Sequence, residues 1–294
     1  MPEGHTLHRL ARSLADAFAG HLVEVTSPQG RFAEAAAILD GTLLLGAEAW
    51  GKHLFIRFEA ERFVHVHLGL YGKFDVVPGP APAPVGQVRL RIAWPGSTRD
   101  GESGRSAYAD LRGATACDLV TDRERTAIIE RLGPDPLRED ADPERAWQRV
   151  HRSRAPIGAL LMDQTVLAGV GNVYRAEVLF RHRIHPLRPG NTVRRGQFAA
   201  IWEDLVELMH DGVGTGRIDT VRDAHTPEAM GRDPRRDDHG GEVYVYRRNG
   251  QACHVCGSIV RTQVLATRNL FWCPKCQPTF RSRAVSRSPH GRLT

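Results

Sequence analysis

The chain has 294 residues, enough for two domains and a small additional module. With 41% apolar and 25% charged residues it is ordinary for a globular protein, which excludes a collagen, a coiled-coil rod and a wholly disordered chain. The net charge is +6, but it is unevenly spread: residues 243–294 carry nine Lys or Arg and no acid, leaving 31 of the 40 basic groups against all 34 acidic ones. A basic end on a slightly acidic body points to a polyanion partner, most simply nucleic acid.

Leu7, Leu10, Ala11, Leu14 and Phe18 recur at helical spacing, so an amphipathic helix is expected almost from the start. From His21 to about Leu119 the chain reads as β, in short segments such as LVEVTS, TLLLGAEAW, HLFIRFE, RFVHVHL, QVRLRIA and AYADL. A Pro-rich loop (78–86) and a Gly/Ser-rich loop (95–104) interrupt them. A boundary is expected near LGPDPL (132–137). Helical pattern follows from about Asp142 to Asp211, clearest in PIGALLMDQ, VYRAEVLFRHR and GQFAAIWEDLVELMH. Residues 212–241 read as a long mobile loop, EVYVYRRNGQACHVCG restarts a β pattern, and 278–294 reads as a basic disordered tail. No apolar run approaches the roughly 18 residues of a membrane span, and MPEGHTLHRL lacks the apolar core of a signal peptide. A cytoplasmic protein is expected.

Cys253-His-Val-Cys256 is followed, after 16 residues, by Cys273-Pro-Lys-Cys276. Two such pairs read as a tetrahedral four-thiolate zinc site with no open position, hence structural. Disulfides would not suit a cytosolic chain. Cys117 has no partner and is expected as a buried core thiol. Arg268, between the knuckles, reads equally well as a phosphate fork at a hairpin tip or as a surface arginine.

Pro2 follows the initiator Met, whose removal would leave a secondary amine. An α-amine titrates near 7.7–8 rather than near 10.4 as lysine does, so about a tenth of it is neutral and nucleophilic at pH 7. Condensed with a sugar aldehyde it gives a cationic iminium, an electron sink that drives elimination of neighbouring phosphates. Glu3 beside it can move protons. Only three of the basic residues are lysines, and one of them, Lys52, lies in the strand-like WGKHLF.

Pro2-Glu3, Lys52, the segment DQTVLAGVGNVYRAEVLF (163–180) and the ending CxxC…R…FWCPKCQ (253–277) occur in this order. In them the chain resembles the formamidopyrimidine-DNA glycosylase and endonuclease VIII family, over essentially residues 2–277. The opening MPEGHTLHRL and the stretch HVHLGLYG are most similar to actinobacterial endonuclease VIII. The resemblance implies an α+β fold: an N-terminal helix and β-sandwich (1–130), a helix-two-turn-helix domain (131–241), a zinc-finger β-hairpin (242–277) and the tail. It implies that Pro2 is the nucleophile, Glu3 the acid/base and Lys52 a phosphate contact that assists base release. Asn172 and Arg268 would hold phosphates beside the lesion, and Leu70 and Tyr71 would fill the gap left by a flipped nucleotide, although either reads also as β-domain core. Gly169 and Gly171 would let backbone approach a phosphate at a helix N-terminus, or simply form an interhelical turn.

Two departures stand out. Many members carry a second glutamate within the first few residues; this chain has none there, and His5 is either a substitute proton carrier or a surface histidine. Gly69 stands where the best-known endonuclease VIII enzymes have glutamine. The expected activity is a bifunctional DNA glycosylase and AP lyase acting on damaged double-stranded DNA, with oxidised pyrimidines preferred over oxidised purines. One structural Zn2+ is expected, no redox cofactor, and a monomer at the nucleoid. An oxidised-purine enzyme acting on 8-oxoguanine and formamidopyrimidines, and a zinc-ribbon protein that binds DNA without chemistry, are the competing readings.

Overall fold

The computed structural model describes residues 2–96, 106–236 and 241–280. Helix α1 (Gly4–Phe18) opens the chain and buries Leu7, Leu10, Ala11, Leu14 and Phe18, the stripe read from spacing. It leads into β1 (His21–Thr26), α2 (Ala33–Leu39), β2 (Thr42–Trp50), β3 (His53–Phe58) and β4 (Arg62–His67). There follow β5 (Lys73–Pro78), β6 (Val88–Trp94), β7 (Ala107–Arg112), β8 (Ala116–Thr121) and α3 (Asp122–Ile129). The strands lie in the order β5-β7-β6-β1-β2-β3-β4-β8, and every pairing is antiparallel. Strand β1 belongs to both halves: His21–Val23 pair with β2, and Glu24–Thr26 pair with β6. One strand that changes sheets part-way folds the array into a sandwich. Its inward residues, among them Leu44, Leu54, Ile56, Val64, Leu90 and Leu111, form one apolar core with α1.

A second core lies beyond, built on α4 (Pro143–Arg152), the single turn α5 (Ile157–Leu160), α6 (Asn172–Arg181) and α7 (Arg195–Thr215). The short α8 (Pro227–Met230) follows, and then the hairpin of β9 (Arg261–Leu265) and β10 (Arg268–Trp272). Helix α6 is enclosed nearly all round, with nine of its ten residues buried, Asn172, Arg175 and Glu177 among them. Backbone at Gly4 and Gly169 joins the two cores: the Gly4 N–H donates to the Gly169 carbonyl at 2.8 Å. A Cβ on Gly4 would stand 2.8 Å from the Gly169 Cα, so no larger residue fits there.

Four expectations need correction. The stretch from His21 to Leu119 is not all strand, because the Ala-rich AEAAAIL folds as α2. Lys52 is not within a strand but in the turn between β2 and β3. Residues 212–241 are not loop throughout: α7 runs to Thr215, and turns of helix form at Asp223–His225 and in α8. EVYVY is not a strand. The N–H groups of Tyr244, Val245 and Tyr246 instead donate to the buried Glu177 carboxylate at 2.6–2.8 Å, where the Thr220 hydroxyl also donates. Residues 237–240 of the expected loop and 281–294 of the expected tail lie outside the described residues.

Candidate active site

Glu3 is the residue that precedes the first turn of α1, yet its side chain does not cap that helix. It crosses to the N-terminus of α6 instead, where its carboxylate accepts N–H bonds from Gly171 at 2.9 Å and Val173 at 2.8 Å, with Tyr174 at 3.4 Å. This is a position that favours a negative charge. Glu3 is fully buried. Burial raises its pKa above the ordinary 4.5, and the nearby Lys52 and the three amides only partly oppose that rise. The glycines of GVGN therefore serve a different end from the one expected. A Cβ on Gly171 would lie 2.2 Å from the Glu3 carboxyl carbon, and the helix-end amides point at Glu3 rather than outward to a phosphate.

The Lys52 ammonium donates to the Val170 carbonyl at 2.8 Å, one residue before the Glu3 cradle. Burial lowers its pKa from the ordinary lysine value, Glu3 opposes the change, and Arg268 and Arg175 add to it. Burial thus shifts Glu3 and Lys52 in opposite directions, each toward its neutral form.

The turn that carries Lys52 is tied down from three directions. Asp135, from LGPDPL, accepts the Gly51 N–H at 2.7 Å, pairs with His8 of α1 at 2.7 Å and accepts the Leu137 N–H at 3.0 Å. Gln164 braces the glycine turn by accepting from Gly169 N–H and donating to the Val170 carbonyl, both at 3.0 Å.

Asn172 opens α6 and is buried; its side-chain oxygen accepts a hydrogen bond from Arg175, one turn on. Arg175 is itself 1% exposed and also donates to the carbonyls of Gly158 (3.1 Å) and Asn269 (3.0 Å). It therefore links Asn172 to strand β10. Arg268 is the first residue of β10, directly after the two-residue turn Ala266-Thr267, whose φ values of 47° and 63° are those of a tight hairpin. The zinc-finger tip and the N-terminus of α6 are thus joined through one buried cation.

Pro2, His5, Leu70, Tyr71 and Val173 line a cavity of about 690 Å³ between α1, the loop after β4 and the segment following α7. Leu70 is 41% exposed and Tyr71 88% exposed, so neither is core. Their loop is tight: Gly69 adopts φ 70° and donates its N–H to His67 Nδ1 at 3.1 Å, and the Gly72 N–H returns to the Leu68 carbonyl at 3.0 Å. His5 is not a surface residue; it is 4% exposed. Cys117 is a buried thiol as expected, its pKa pushed up to about 12 by burial. The thiol sulfurs of Cys253, Cys256, Cys273 and Cys276 lie within 4.8 Å of one another, a donor set that fits one structural zinc ion. Among the described residues no helix is long and apolar enough to cross a membrane.

Asp135, Gln164, His8 and Arg175 were not singled out from the sequence. Arg175 alone left a mark there, as an arginine one helical turn after Asn172. The others act through contacts between distant parts of the chain.

Three family models match: the formamidopyrimidine-DNA glycosylase N-terminal domain over residues 1–117, its H2TH domain over 132–223, and the zinc finger found in FPG and IleRS over 250–279. The proteins named endonuclease 8 1 of Mycobacterium tuberculosis and Mycobacterium bovis are 52% identical over 284 residues, covering 94% of this chain and all of theirs. A formamidopyrimidine-DNA glycosylase of Parasynechococcus marenigrum is 32% identical, covering 94% of this chain and all of its own. The Lactococcus lactis Fpg in complex with DNA containing an abasic site shares the fold, with a TM-score of 0.73 at 20% identity over 94% of this chain and the whole of that one. With this ancestry and the zinc finger in place, the chain belongs to the formamidopyrimidine-DNA glycosylase and endonuclease VIII family of base excision repair, whose members are DNA glycosylases with AP-lyase activity.

Proposed function

We propose that the chain removes oxidised bases, pyrimidines in preference, from double-stranded DNA and then cleaves the strand through a Schiff base on Pro2. The observation that carries the reading is the placing of Pro2 on the cavity wall, directly before the buried Glu3 that faces Lys52. Freed of Met1, the Pro2 amine bonds to C1′ as the glycosidic C1′–N bond breaks, and the base leaves with the bonding pair and a proton. The sugar opens at O4′, which takes a proton, and C1′ becomes an iminium. Loss of a C2′ proton then expels the 3′ phosphate, and a second elimination expels the 5′ phosphate. Water releases the sugar remnant and restores the amine, leaving a one-nucleotide gap with phosphate at both ends. Glu3, with its raised pKa, is the group that gives and takes these protons. Lys52, Asn172 and Arg268 hold backbone phosphates, while Leu70 and Tyr71 enter the stack in place of the flipped nucleotide. Cys253, Cys256, Cys273 and Cys276 would hold a structural zinc ion, which would keep the β9–β10 hairpin folded.

The preference for pyrimidines is supported by the aromatic Tyr71 at the wedge and by the 52% identity to proteins named endonuclease 8. Borohydride trapping on two duplexes tests the whole reading, because it reduces an iminium to a stable amine. Covalent product with thymine glycol is expected, with little from 8-oxoguanine. Trapping mainly on 8-oxoguanine would move the protein to oxidised purines. No trapping on either lesion, with bound zinc and a processed N-terminus, would leave a DNA-binding protein without chemistry. Pro2→Gly is expected to abolish the trapped species; full trapping by this variant would remove Pro2 from the mechanism.

A further inference from the structure

His5 sits where a polar side chain needs a reason. It follows Gly4 in the first turn of α1 and lines the 690 Å³ cavity beside Pro2, yet only 4% of it is exposed. The Tyr174 ring meets it edge-on, with centroids 5.4 Å apart and planes at 81°. Helix α7 makes room for it: a Cβ on Gly212 would stand 3.1 Å from the imidazole and 2.3 Å from the Tyr174 hydroxyl. A glycine inside a helix is less stable than alanine there, so the fold gives up helix stability to seat these two rings.

The seat does not satisfy the ring it holds. Nε2 meets the Thr6 hydroxyl at 3.3 Å, whereas Nδ1 is buried and has no hydrogen-bond partner among the described residues. An orphaned buried polar atom is destabilising, and a plain packing residue would not carry that cost. Burial also pushes the His5 pKa down to about 4, so the ring is neutral at pH 7. The Thr6 hydroxyl can donate to Nε2, and in that tautomer Nδ1 carries the proton of the neutral ring.

We infer that His5 reads the everted base: its Nδ1–H donates a hydrogen bond to a ring carbonyl of the oxidised base in the cavity. The inference rests on the glycosylase reading above and adds a specificity-determining contact to it. Ring carbonyls suit the geometry because an oxidised pyrimidine presents them on its edge, and a single buried donor pairs with one. A base without an acceptor at that point would leave Nδ1 orphaned, which is how a polar pocket rejects the wrong ligand. Only a base can make this contact; an abasic sugar cannot.

That difference supplies the test. Single-turnover rates are measured for excision from a thymine glycol duplex and for strand cleavage at a preformed abasic site, and the ratio of the two is compared between variants. Both rates use the same Pro2, so a general loss of folded protein cancels. His5→Leu should lower the ratio about tenfold or more. His5→Asn, which keeps a polar group near the Nδ1 position, should restore it to within about threefold, and His5→Gln, which reaches toward the Nε2 position, should not. An unchanged ratio in His5→Leu would overturn the inference. So would rescue by glutamine equal to that by asparagine, or a fall in both rates together, since the last would make His5 an assistant to the Pro2 amine. If the unsubstituted protein cleaves abasic sites but excises no oxidised base, it is the glycosylase reading that fails, and that result is visible before any variant is made.

Discussion

Glu3 combines two demands that oppose each other. Full burial disfavours its charge, while three helix-end amides and Lys52 favour it, and burial prevails, so the carboxyl titrates above the ordinary 4.5. A carboxyl raised in this way gives up and regains a proton more evenly than an ordinary one, and positioned acid/base groups contribute about 10²–10⁴-fold to rate. Glu3→Gln keeps the shape but turns an NH2 group toward the amides of α6 and removes the titration. Excision should fall at least about 100-fold while binding to an abasic-site duplex changes little. In the unsubstituted protein, the acid limb of the single-turnover rate against pH should lie above 4.5 and should vanish in the variant. An acid limb that persists unchanged in Glu3→Gln would assign it to another group.

At the scale of elements, the β2–β3 turn is held by a residue from another part of the chain. Asp135 lies 84 positions beyond Gly51 and 127 beyond His8, and accepts from both. Asp135→Ala orphans the buried Gly51 and Leu137 amides, a loss of roughly 2–4 kcal/mol in stability by thermal or urea unfolding. It should also weaken the hold on phosphate beside the lesion, because Lys52 loses its fixed turn. Unchanged stability would mean that water replaces the carboxylate at both amides. Such links explain what the sequence showed and what it withheld. The stripe of α1, the β-branched and aromatic composition of β3 and β4 and the spacing of the four cysteines are local patterns, and each was legible. EVYVY alternates in composition only; Val243, Tyr244, Val245 and Tyr246 are all buried, and Glu177 captures the amides that a strand partner would have taken. The orientation of Glu3 was equally hidden, because its partners lie some 170 residues away. Motif order located Pro2, Lys52, Asn172 and Arg268, but not the carboxylate at Asp135 or the cation at Arg175 that fix them.

At the scale of the molecule, α6 is the joint. Its N-terminus holds Glu3 from the first core, Arg175 at its middle holds Asn269 of β10, and Glu177 holds the chain that enters the zinc finger. The hairpin itself has little to keep it folded. All five residues of β9 face outward or nearly so, and only Leu270, Phe271 and Trp272 of β10 are buried. An isolated two-stranded hairpin is at best marginal in water, whereas structural zinc contributes on the order of 10–16 kcal/mol of apparent binding energy in small finger modules. Zinc removal should therefore unfold residues around 253–276 while the two apolar cores survive, since neither core depends on the hairpin for most of its members. Arg268 would then lose its place beside α6. Chelation followed by a colorimetric count of released metal should find one equivalent of zinc. Affinity for an abasic-site duplex should fall, and the slope of log affinity against log salt should flatten by about one unit, as for the loss of a single phosphate contact. Arg268→Ala, with zinc still bound, should reproduce that flattening. If the zinc-free protein keeps the full slope, Arg268 makes no phosphate contact, and the basic end of the chain would act through other residues.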